Sequence, residues 1–123
     1  MLYALLFYGR EEEWDAMERP QREKIMRVHL DQANKANADG ALVTSMRLCQ
    51  TQSATTVKTQ GKEVVVLDGP FAETKEQLGG LQILNCANLD EAIHYAKMFV
   101  DHGGIRFDSV EIRPVHPRPD SIE

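Results

Sequence analysis

Residues 2–8, LYALLFY, are apolar at every position, and no other run restricts the fold as strongly. Successive side chains of a strand point to opposite faces, so a strand with one wet face alternates apolar and polar residues. A run without a polar position suits a strand covered on both sides. It is too short to cross a membrane, no basic residues precede it, and Gly9-Arg10-Glu11 ends it, which argues against a span or a signal peptide. Residues 2–8 are therefore expected to be a first strand buried on both faces.

The acidic run Glu11, Glu12, Glu13 leads to Trp14 and Met17, which suit one helical turn. Pro20 suits the first position of a longer helix that reaches about Ala38 and ends at Gly40. Met26, His29, Leu30 and Ala33 share its apolar face, while Glu23/Arg27, Arg27/Asp31 and Asp31/Lys35 stand at i,i+4 spacing on the other. Residues 42–49 alternate as a second strand, and residues 50–53 form a polar break. Residues 55–59 and 62–67 flank Gln60-Gly61 and predict a hairpin, with glycine supplying the positive φ of a tight turn. Residues 81–87 predict another strand, and Asn88 caps a helix with Asp90 and Glu91 in its first turn. Leu89, Ala92, Ile93, Ala96, Phe99 and Val100 would form the core face of that helix, which Gly103-Gly104 would stop. Residues 107–113 predict a last strand, and Pro114, Pro117 and Pro119 leave residues 115–123 an irregular tail.

This order predicts one α+β domain over residues 1–123: a ferredoxin-like antiparallel sheet with two helices on one face and an inserted β-hairpin. Two helices cover only one face. The runs 2–8 and 64–67 ask for cover on the other, and a second copy of the chain is the economical source, so a homodimer is expected. A net charge of -5 offers no basic footprint for nucleic acid or an anionic membrane. Cys49 and Cys86, each in an apolar strand-like run, read as reduced core thiols of a cytoplasmic protein.

Between VVVL and LQIL lies DGPFAETKEQLGG, residues 68–80, a connection longer than an ordinary hairpin loop and of the kind that is usually functional. It closely resembles the DGPF signature of the YCII-related family. The likeness extends to the opening MLYALLFYG, to Ala54-Thr55-Thr56-Val57, and to Val110-Glu111-Ile112-Arg113-Pro114. The resemblance implies a dimeric α/β barrel, in which two sheets pack face to face. It also allows a muconolactone-type lyase or isomerase reaction, although most members have no assigned activity. Because such proteins are often encoded beside alternative sigma factors of the extracytoplasmic-function type, a regulatory or signalling module is the competing implication.

Within the signature, Asp68, Glu73 and Lys75 are candidate catalytic groups around a pocket lined by Phe71, with Tyr8 either reaching the pocket mouth or packing in the core with a wet hydroxyl. Acids crowded against a lysine in a partly dry cleft would have shifted pKa values and could move protons. The same residues have a structural reading: Asp68-Gly69-Pro70 is good turn chemistry, and residues 74–77 match a capping box for one helical turn that Gly79 would end. His29 is a candidate general base, the alternative being a core or interface histidine. Enzyme-like relatives of the broader superfamily pair a histidine with an aspartate. Asp39 is the partner to consider, but an unbroken helix would set it about 15 Å from His29 along the axis. His94, His102 and His116 read as solvated, and no spacing suggests a metal site. Without a phosphate loop, nucleophile elbow or dinucleotide fingerprint, no cofactor is expected. The expectation is a small-molecule pocket at the sheet/dimer interface with acid–base chemistry, or else a non-enzymatic regulatory module. Whether the chain is an enzyme stays open at this point.

Overall fold

The computed structural model describes residues 1–100 and 109–117. The chain runs through β1 (Leu2–Gly9), α1 (Glu11–Ala16), α2 (Arg19–Ala38), β2 (Leu42–Arg47), β3 (Thr55–Gln60), β4 (Glu63–Asp68), β5 (Gln77–Asn85), α3 (Leu89–Val100) and β6 (Ser109–Pro114). A 3-10 turn, Thr51–Ser53, follows β2. The main sheet has the order β2-β5-β1-β6 and every pairing in it is antiparallel. The architecture is α+β and consistent with a ferredoxin-like fold, with β3 and β4 forming a separate two-stranded sheet.

The wholly apolar strand lies between two neighbours in the sheet, and of its two faces only the one toward the helices is fully buried. Leu5 faces Gln82 of β5 on one side and Ile112 of β6 on the other. Tyr3, Leu5 and Phe7 turn toward the helices and join Leu84, Ala92, Tyr95, Ala96 and Phe99 in the core. Alternation sends Ala4, Leu6 and Tyr8 to the opposite face, where Leu81 and Ile83 of β5 lie with them and all five are half-buried.

α2 meets the core through Ile25, Gln32 and Ala36, not through the stripe of Met26, His29, Leu30 and Ala33 expected from its sequence. Gln32 is tolerated there because its amide and that of Gln82 exchange reciprocal hydrogen bonds of 2.9 and 2.6 Å. The ion pairs on α2 are Arg19–Glu23 and Lys35–Asp39, displaced from the expected trio of pairs. On α3, Asn88 caps the first turn by accepting the Glu91 N–H at 3.0 Å. Its core face contains Tyr95 and leaves Leu89 exposed, because the Tyr95 hydroxyl finds a partner in Asp39.

Two further expectations are corrected. Cys49 is exposed, so only Cys86 is a core thiol, and both are free. The capping box at residues 74–77 does not nucleate a helical turn: Gln77 already pairs with Gly9, so β5 starts there and takes both glycines into the sheet. At Gly80 a side chain would be crowded, since a Cβ would stand 3.0 Å from the Met46 carbonyl oxygen.

The β3–β4 hairpin forms as expected, turning at Gly61 with φ 63°. Its base is sealed by Gly69, whose N–H donates to the Ala54 carbonyl at 2.7 Å and whose carbonyl accepts from the Thr56 hydroxyl at 2.8 Å. Gly69 holds φ 91°, a region that L side chains rarely enter. Val64 and Val66 on this hairpin are 69% and 67% exposed. Among the described helices none is long and apolar enough to cross a membrane. His102, Gly103-Gly104, the start of the last strand at Phe107, and residues 118–123 of the expected tail lie outside the described residues.

Candidate functional site

One end of the sheet brings together the close of β1 at Gly9, the start of β5 at Gln77 and the close of β2 at Arg47, through the pairs Gly9↔Gln77 and Arg47↔Gly80. α1 leaves the sheet there and is pinned back by Arg22 of α2, which donates to the carbonyls of Trp14 and Asp15 at 3.0 and 2.9 Å. Gln50 holds the Asp15 carboxylate at 2.8 Å. The space between α1, α2 and the sheet end is a half-open cavity of about 310 Å³.

Its walls are mostly apolar. The stripe Met26, His29, Leu30 and Ala33 of α2 faces this cavity instead of the core, with Trp14 and Leu48 across from it. Gly79 and Gly80 also line it. Deeper in, Phe7 stacks on Phe99 with centroids 3.8 Å apart, and His29 stacks on Phe99 at 4.0 Å. The Arg47 guanidinium lies over the Trp14 ring at 4.8 Å, a cation–π arrangement that fixes both groups at the rim.

The polar groups at the rim have distinct partners. The Glu11 carboxylate accepts the Thr51 N–H at 2.7 Å and the Thr51 hydroxyl at 2.8 Å, while the Glu11 N–H donates to Gln77 Oε1 at 2.9 Å. Arg10 stands 3.7 Å from Glu13. Arg47 places one N–H 3.6 Å from Met26 Sδ, and it has no carboxylate partner among the described residues.

The candidate residues from the sequence do not converge here. His29 lines the cavity. Lys75 borders a separate hollow with Glu11, Glu12, Asp15 and Thr74. Asp68, Glu73 and Phe71 line neither, and Phe71 is 84% exposed. Tyr8 is half-buried on the sheet face away from the helices and lines neither. The signature loop instead ties elements together: the Glu76 carboxylate accepts from the Ser109 hydroxyl at 3.2 Å, and Gln77 bonds α1.

Nor do His29 and Asp39 pair. Asp39 sits at the C-cap of α2, where its carboxylate accepts from the Tyr95 hydroxyl at 2.6 Å and from Lys35 at 2.9 Å. Those bonds, the hydroxyl first, lower its pKa below the usual carboxylate value. Tyr95 in turn is pushed up to about 12, chiefly by the same hydrogen bond and then by burial. Burial raises the Cys86 thiol as well. Arg47 and Trp14 were not candidates from the sequence, and the one local signal for Arg47 is a cation between Met46 and Leu48 near the end of an otherwise weakly polar strand.

The YCII-related domain family matches residues 1–116. An uncharacterized protein of Rhizobium meliloti (strain 1021) is 38% identical over 115 residues, spanning 94% of this chain and 92% of the relative.

Proposed function

The chain belongs to the YCII-related family, and from that premise we propose that it binds a small molecule in the cavity between α1, α2 and the sheet end. The observation that carries this is the cavity itself: about 310 Å³, walled mostly by apolar side chains, with the His29 imidazole, the Arg10 and Arg47 guanidiniums and the Glu11 and Glu13 carboxylates in its lining. Pockets for small ligands have this make-up, an apolar lining with a few placed polar groups. Acid–base chemistry on the ligand, if the protein is an enzyme, falls to His29, since Asp68, Glu73 and Lys75 do not border the cavity. We further propose a cytoplasmic homodimer in which the half-buried face of Ala4, Leu6, Leu81 and Ile83 packs on its copy as a dimeric α/β barrel.

A non-enzymatic regulatory module, acting with an extracytoplasmic-function sigma factor system, is the second reading. It is favoured by one observation, the protruding hairpin and signature loop whose Val64, Val66 and Phe71 side chains are bare.

A thermal-shift screen of small metabolites separates the two, because a ligand of the folded state raises its apparent stability by mass action. Hits whose shifts vanish in Ala33→Phe, which fills the cavity, and persist in Asp68→Asn are expected. Loss in Asp68→Asn alone would move the site to the signature loop. A screen without hits would favour the regulatory module.

A further inference from the structure

We infer that the ligand of this cavity is an amphipathic monoanion, an apolar body carrying one carboxylate head that Arg47 receives. This rests on the cavity being the binding site. The sign of the ligand's head group follows from which charged rim groups already have hydrogen-bond partners. Both oxygens of Glu11 are occupied by Thr51, at 2.7 and 2.8 Å. Arg10 and Glu13 stand together at 3.7 Å and cancel. Arg47 is the charged rim group whose N–H donors are left over: its described partners are an aromatic face and a thioether sulfur, neither of which is a strong acceptor.

The way Arg47 is held suits it to a carboxylate. The Arg47 guanidinium is exposed and sits with its carbon 4.8 Å from the Trp14 ring centre, so that, apart from the N–H near Met26 Sδ, its donors can meet the two oxygens of a carboxylate. A phosphate dianion would call for a second unengaged cation, and the other arginine lining the cavity, Arg10, is already beside Glu13. The body of the ligand would lie along Met26, Leu30 and Leu48, with the Phe7–Phe99–His29 ring stack at its far end.

Isothermal titration at neutral pH with 4-phenylbutyrate, 4-phenylbutyramide and 4-phenylbutylamine tests charge selection on one apolar body. The carboxylate is expected to bind at least about ten-fold tighter than the amide, the scale of one charge-assisted contact. Arg47→Gln should bring carboxylate and amide to equal affinity. Arg19→Gln removes the same charge from an exposed pair with Glu23 and should leave the preference intact, while Ala33→Phe should weaken all three ligands together. Thermal melting of each variant without ligand confirms that it is folded, and Arg47→Lys should keep part of the preference if charge is what matters. Equal binding of the three ligands, or tightest binding of the amine, with all binding lost in Ala33→Phe, would overturn the carboxylate head and leave the cavity standing as the site. Failure of every ligand, the neutral amide included, would overturn the cavity and this inference with it.

Discussion

Burying the Tyr95 ring beneath the end of α2 needs an acceptor for its hydroxyl, and Asp39 provides one at 2.6 Å. The bond has opposite consequences for its two partners. An unfolded tyrosine ionises near pH 10, whereas Tyr95 in the fold is pushed up to about 12. Its stabilising contribution is therefore complete below pH 10 and is lost as pH rises through about 12. The lowered Asp39 works in the other direction, with a contribution present above its unfolded value and lost as pH falls through the folded one. Tyr95→Phe is expected to flatten the alkaline limb of the urea midpoint plotted against pH, and a limb parallel to wild type would sink the assignment. Gly80→Ala should cost about 1–3 kcal/mol in urea unfolding because a Cβ there meets the Met46 carbonyl oxygen at 3.0 Å, whereas at Gly79 the nearest atom is 3.9 Å away. Equal losses at the two glycines would contradict that account. This pair also shows where single residues defeat a reading of the sequence. Glycine chosen for lack of a side chain and glycine chosen for backbone freedom look alike in one dimension, so a strand pair resembled a helix stop. Arg47 was missed for a related reason, since its significance lies in lacking an acid that only the folded chain could have supplied.

At the level of elements, periodicity located every helix and strand of the described residues to within a few positions, yet on α2 it assigned the wrong face to the core. The stripe at Met26, His29, Leu30 and Ala33 is apolar because it walls a cavity, and the true seam was hidden because Gln32 interrupts it. A glutamine in a seam is affordable only when another element brings its complement, and Gln82 does so from β5. Gln32→Leu or Gln82→Leu alone should cost about 1–3 kcal/mol by leaving an amide unanswered, while the double variant should cost clearly less than the two together. Additive losses in a double-mutant cycle on urea unfolding would show that the amides are not coupled. Residues 74–77 teach the converse. Their capping pattern is locally sound, but pairing of Gln77 with Gly9 starts a strand there, and a long ladder outweighs one helical turn.

For the molecule as a whole, the sequence signal with the longest reach was the absence of polar positions in β1. It implied two covered faces; the helices cover one, and the homodimer proposed above would cover the other. Ile83→Lys, on the half-buried face, should convert a species of twice the chain mass into one of unit mass in sedimentation equilibrium, with the melting temperature reduced. A wild-type chain that sediments at unit mass would remove the dimer. The sheet order has another consequence, for how the chain is made. Among the described residues β1 pairs only with segments made later, at residues 77–85 and 109–114. At roughly 5–20 residues per second, an adhesive apolar heptapeptide therefore waits several seconds for either neighbour. During vectorial synthesis the fold therefore depends on whatever shields nascent β1, and slowing translation between α2 and β5 should lower its soluble yield more than slowing it after β6.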